Sequence, residues 1–204
     1  MDACRADTSA EIAAVAARMV VEEGMEYAAA KRRAGKELGL SARAPWPDNA
    51  AMDAAVREYI AIFCPQEQAA ELQALREVAL VWMARLSEFR PHVAGAVWQG
   101  TATRHNDIFL HLYCDDPKST EWALLDHKVD YQTGSVTGWR GEPVETLSVR
   151  ARCDSLGQWV LVHLMLHDKD DQRGALQPDA QGRKPRGDLR ALRALMDNED
   201  PHPK

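Results

Sequence analysis

The stretch GAVWQGTATRHNDIFLHLYC, residues 95–114, carries the two signals that decide the fold. Its second half alternates, with Ile108, Leu110, Leu112 and Cys114 on one side and Phe109, His111 and Tyr113 on the other, the period of a half-buried strand. Its first half is crowded with small residues, Gly95, Ala96, Gly100, Thr101 and Ala102, and it overlaps a run at 93–99 that also reads as β-rich. A sheet therefore begins near residue 93.

Toward the N-terminus the period changes to that of helices. Thr8 and Glu11 have capping-box spacing ahead of Ile12, Val15, Ala16, Met19 and Val20, and Gly24 predicts the end of that helix. A second helix, rich in Ala, Lys and Arg, is predicted over 26–38, with Gly39 as its C-terminal glycine. Asp48 or Asn49 caps a third, whose apolar positions are Met52, Val56, Tyr59, Ile60 and Phe63. After Pro65 a long fourth helix carries Leu72, Leu75, Val78, Ala79, Trp82, Met83 and Leu86 on one stripe and stops before Pro91.

Toward the C-terminus, Asp116 before Pro117 starts a short helix, and Val129 opens another strand. Residues 133–142, with three glycines, read as a loop. Strands at 144–152 and 159–166 form a hairpin through a turn at 155–157. Residues 169–187 read as a polar loop, 188–196 as a last short helix, and 198–204 as a disordered tail. The expected fold is α+β: a helical annex at 1–90, packed on a mixed sheet at 91–197 that ends in a short helix.

Composition narrows the function. The 204 residues are 46% hydrophobic and 27% charged, enough apolar material for a core. With 25 Lys and Arg against 31 Asp and Glu, the net charge of -6 disfavours nucleic acid as a partner. Cys4, Cys64, Cys114 and Cys153 are scattered without a CxxC pair and read as reduced thiols. With no leader pattern and no apolar run of roughly 18–20 residues, the sequence predicts a soluble cytoplasmic protein. There is no GxSxG nucleophile elbow and no GxxxxGK[ST] phosphate loop.

The segment from Gly95 to Asp107 resembles the signature of the nucleotidyltransferase superfamily related to DNA polymerase beta. There a Gly-Ser pair opens a strand-to-helix turn, and about ten residues later a strand carries two carboxylates two positions apart. Here Gly95 holds the glycine place, Ala96 replaces the serine, Gly100, Thr101 and Ala102 fit the small-residue run, Asn106 stands where serine is common, and Asp107 fits the first carboxylate. The second carboxylate place is Phe109, which cannot bind a metal, and of a third on a later strand only His163 or Glu145 stands in its stead. The resemblance implies a sheet of nucleotidyltransferase type. It also implies a nucleotide held by Gly95, Gly100, Thr101, Thr103 and Arg104, and Asp107 as the catalytic residue on Mg2+ or Mn2+. Carboxylates at i and i+2 of a strand face one way and can share divalent ions, so the loss at Phe109 bears directly on two-metal transfer.

Over roughly residues 10–196 the chain also looks like an uncharacterised group of short proteobacterial proteins sharing the Ala- and Lys-rich second helix, an LREVALVWM-like fourth helix (75–83) and this degenerate turn. Some of that group are labelled amino-acid ligases of cell-wall synthesis, a label that the missing phosphate loop and the short chain exclude.

His105, His111, His127, His163 and His167 fall in the sheet-bearing half. His111 shares a strand face with Asp107 and Phe109. If His163 lies on a neighbouring strand, the two imidazoles form a metal pair with Asp107 in place of the missing carboxylates. Two functions result: a divergent nucleotidyltransferase-like protein binding a nucleotide or phosphate ligand, and a catalytically inactive scaffold that binds a protein partner or a second copy of itself as a homodimer.

Overall fold

A computed structural model describes residues 2–41, 43–137, 141–172 and 184–199. The fold is α+β, and the chain divides into two compact units, residues 1–70 with 101–105 and residues 71–100 with 106–204.

The first unit holds helices α1 (Asp2–Glu23), α2 (Tyr27–Glu37) and α3 (Asn49–Phe63) and the start of α4 (Pro65–Arg85). Helix α1 is its centre, packing on both α2 and α3. Ile12, Ala16, Met19, Ala30, Ala34 and Met52 form one buried cluster, and Ala17, Val21, Val56 and Ile60 a second. Helix α1 ends in a left-handed glycine cap: Gly24 stands at φ 67° and its amide donates to the Val20 carbonyl, while the Met25 amide donates to the Met19 carbonyl. Asp48 caps α3, its carboxylate accepting the Ala51 amide at 2.8 Å. Thr8, expected as a cap, lies inside α1, which begins six residues earlier at Asp2.

The second unit is a six-stranded sheet in the order β3–β4–β5–β2–β1–β6. The strands are β1 (His92–Ala94), β2 (Ile108–Cys114), β3 (Tyr131–Thr137), β4 (Pro143–Cys153), β5 (Gln158–Asp168) and β6 (Arg186–Asp188). Every neighbouring pair is antiparallel except β2 and β5, which run parallel, so the sheet is mixed. One face is apolar: Ile108, Leu110 and Leu112 of β2, Leu147 and Val149 of β4, and Val162 and Leu164 of β5 are all fully buried. Each such side chain contributes about 1.5–3 kcal/mol. Helices α4 and α6 (Pro117–Asp126) lie on this face, where the Cys153 thiol meets the Ala74 carbonyl and the Thr120 hydroxyl meets the Cys114 sulfur. Asp116 caps α6 ahead of Pro117, accepting the Lys118 amide at 3.0 Å, as the sequence predicts.

Four expectations are corrected. Residues 95–99 are not strand: β1 stops at Ala94, and Gly95, left-handed at φ 67°, turns the chain into the five-residue helix α5 (Gly95–Gln99). Residues 133–137, expected as loop, are the body of β3, an exposed edge strand held by its ladder to β4. Arg186 and Gly187, expected in the polar loop, pair with β1 as the other edge strand. There Gly187 is required, because a Cβ would run into the Trp98 ring, whose indole N–H is fixed on the Lys184 carbonyl at 2.8 Å. The last helix, α7 (Leu189–Glu199), reaches past residue 198, where the tail was expected to begin. Residues 200–204 and most of the polar loop, 173–183, lie outside the described residues. Cys114 and Cys153 are free thiols, and among the described residues no helix is long and apolar enough to cross a membrane.

Candidate functional site

Because side chains alternate along a strand, the face of the sheet opposite the core collects the residues that the apolar pattern leaves over. The pairing register sets them in rows. Ser148 of β4 stands beside His163 of β5, His163 beside Phe109 of β2, Phe109 beside Ala94 of β1, and Ala94 beside Arg186 of β6. The next row runs Thr146, Met165, His111, His92 and Asp188, and beyond it His167 stands beside Tyr113. This face is rich in imidazole, hydroxyl and aromatic groups.

Two hydrogen-bonded groups occupy it. At one end, His163 bridges Asp107 and Ser148: its Nε2 lies 3.1 Å from Asp107 Oδ2, and its Nδ1 lies 2.8 Å from Ser148 Oγ. The Phe109 ring stacks on this imidazole at 5.0 Å between centroids. At the other end, His111 Nδ1 lies 2.7 Å from His167 Nε2, Tyr113 stacks on His167, and Arg186 donates to the Tyr113 hydroxyl at 2.9 Å. His92 presents its edge to Tyr113 and gives its Nδ1–H to the Arg90 carbonyl at 2.8 Å.

The second group is electrostatically unusual, since a guanidinium sits among three buried imidazoles. Burial first, then Arg186 and the neighbouring His167 and His92, push the His111 pKa down to about 2. Burial and Arg186 lower that of His167, and burial lowers that of His92. Burial also raises the Tyr113 hydroxyl. At neutral pH the cluster is therefore a set of neutral hydrogen-bonding groups around one fixed cation. The Arg186 Nε is buried with no hydrogen-bond partner among the described residues.

The expected metal set of Asp107, His111 and His163 is not brought together. His163 is taken by Asp107 and Ser148, whereas His111 is paired with His167. Among the described residues no group of three or more His, Cys, Asp or Glu side chains is arranged to hold a metal ion. Nor does the donor chemistry suit Mg2+ or Mn2+, which take mainly oxygen ligands, because the face offers Asp107 with an imidazole already against it. Glu145, a substitute for the third carboxylate, shares its side of β4 with Leu147 and so projects from the opposite face.

Of the residues that the resemblance assigns to the nucleotide, Gly95 lies beside the Asp107 end of the sheet: a Cβ there would rest 3.7 Å from the Phe109 ring, so space is open and the left-handed backbone is what demands glycine. Gly100, at φ 84°, ends α5. Thr101, Thr103 and Arg104 belong to the helical unit, where both threonines are buried and the Thr103 hydroxyl donates to the Val21 carbonyl at 3.5 Å. Arg104 is exposed.

Ser148, Arg186, His92 and Tyr113 were not singled out in the sequence. The signal for Ser148 was its place in the series Thr146, Ser148, Arg150, Arg152, the polar half of an alternating strand. Comparison of the chain with family models, curated proteins and solved structures finds no match.

Proposed function

We propose that the chain is a divergent nucleotidyltransferase-like protein whose polar sheet face binds a nucleotide or another phosphate ligand without two-metal transfer chemistry. The observation that supports this is the β1–α5–β2 unit: a strand ends at the left-handed Gly95, a short helix follows, and the returning strand delivers Asp107 to the open face beside it. Arg150 of β4 and Arg186 of β6 stand on the same face to either side and supply positive charge for phosphate. Phe109, stacked on His163, fills the place of the second carboxylate, which is why the reading stops at binding.

The test is a thermal-shift titration with ATP, GTP, CTP and UTP, each with and without Mg2+ or Mn2+, on the wild type and Asp107→Ala. A ligand at 100 times its Kd stabilises by about 2.7 kcal/mol, a rise of about 5–10 °C in Tm for a chain of this size. We expect a shift that needs no metal and persists in Asp107→Ala, because without a metal the carboxylate only repels phosphate. No shift with any nucleotide refutes the reading.

The second reading, an inactive scaffold for a protein partner or a second copy, is favoured by α6, where Trp122 and Leu125 are both well exposed three residues apart on one helical face. Concentration-dependent light scattering of the wild type against Trp122→Ala tests the homodimer.

A further inference from the structure

The bonding around His163 fixes where its proton sits. An ionised carboxylate only accepts hydrogen bonds, so the contact with Asp107 Oδ2 at 3.1 Å requires the proton on Nε2. In the neutral imidazole Nδ1 is then bare, and the Ser148 hydroxyl faces it at 2.8 Å. In that form Ser148 donates. Its O–H is polarised toward a base, and its oxygen lone pairs are left for something else. The ring cannot swing out of this arrangement without losing both bonds and its stack on Phe109.

A serine, a histidine and a carboxylate connected in this order form the arrangement that activates a hydroxyl as a nucleophile, with the two imidazole nitrogens in exchanged roles. The group is reachable: His163 is 19% and Asp107 42% exposed, and Ser148 is half-buried. Arg150, two residues along β4 on the same face, is exposed, with its guanidinium over the Trp159 ring at 5.3 Å.

We infer that Ser148 is an activated nucleophile that takes a phosphoryl or nucleotidyl group from an activated phosphoester, His163 acting as the base and Asp107 as the residue that positions it. In the step, Oγ forms a bond to phosphorus, the bond from phosphorus to the leaving oxygen breaks, and the Ser148 proton passes to Nδ1 of His163. The imidazolium so formed is stabilised by Asp107 and returns the proton to the leaving group. The choice of a phosphoester rests on the proposed nucleotide reading; the activation of Ser148 rests on the geometry alone.

A fluorophosphonate tests the activation directly, since attack by Oγ releases fluoride and leaves a stable phosphonyl-serine. The full chain is treated with the probe, and the adduct is located by intact mass and peptide mapping. We expect one adduct, on Ser148. Its rate should fall by about 10²–10⁴ in His163→Gln, the range of general-base catalysis. Asp107→Asn should also slow it and Asp107→Glu restore part of the loss, which a purely structural aspartate would not do. Circular dichroism checks that each variant is folded, and the wild-type adduct site decides the matter even where one is not. An unlabelled Ser148, or a rate unchanged in folded His163→Gln, overturns the inference. If nucleotides raise Tm while Ser148 stays unlabelled, the nucleophile falls and the binding reading stands. If Ser148 is labelled and no nucleotide binds or protects it, activation is upheld and the phosphoester assignment is overturned.

Discussion

Lowering the pH from 7 to 5 should destabilise the sheet unit through His111. An unfolded imidazole titrates near 6.5, whereas burial, Arg186 and the neighbouring histidines hold this one near 2 in the folded chain. The folded pKa is the depressed one, so the unfolded state takes the proton first. The stability that His111 contributes is complete above about pH 6.5 and declines as the pH falls toward 2. At pH 5 the unfolded group is about 1.5 units below its own pKa, and at about 1.36 kcal/mol per unit the loss is about 2 kcal/mol. Solvent screening does not reduce this much, because the side chain is only 9% exposed. The groups that face it are Arg186 from β6, His92 from β1 and His167 from β5, and the lowered pKa values of the two histidines add to the acid loss in the same direction. The assay is urea unfolding followed by tryptophan fluorescence at pH 7 and pH 5, for the wild type and His111→Phe. The phenyl ring fills the space and cannot titrate, so the variant should lose about 2 kcal/mol less between the two pH values. Equal pH dependence in the two proteins would refute the placement of a neutral imidazole beside a buried guanidinium.

Gly187→Ala drives a methyl into the Trp98 ring, which its hydrogen bond to Lys184 keeps from sliding away. We expect a loss of about 1–3 kcal/mol in urea unfolding together with a change in tryptophan emission. Asp48→Ala removes the side chain that accepts the Ala51 amide, and should cost about 1 kcal/mol in thermal unfolding without altering ligand binding at the sheet.

The helices and their ends were legible because capping is local: Gly24, Gly39, Asp48 and Asp116 each act within a few residues of where they stand. Helix α5 was not legible, since five residues are too few to show a helical period, and Val97 and Trp98 read equally well as strand. Strand β3 was missed for the opposite reason. Its residues are polar, exposed and interrupted by Gly134, and only pairing with β4 makes them a strand. The site repeats this division. Asp107 and His163 stand out individually, but 56 residues separate them, and the parallel register of β2 on β5 decides that His163 faces Phe109 and Asp107 rather than His111. Ser148 depends on a second register, β4 on β5, and a serine in mid-strand carries no mark of its own.

The same side chain is put to opposite uses at the two ends of this face. His163 lies beside a carboxylate and near solvent, so an imidazolium formed there has a counter-charge within hydrogen-bond reach. His111, one row further on, is buried beside a guanidinium, so the same protonation would set two cations together without water. Phe109 and Met165 occupy the positions between them on β2 and β5 and keep the two groups from joining into one network. Proton transfer is therefore affordable at the Asp107 end alone, and the Arg186 end is suited to holding negative charge rather than moving protons. On the proposal, a ligand lying across the strands with its phosphorus over Ser148 would meet the base at one end of the row and the fixed cation of Arg186 at the other, with Phe109 between them.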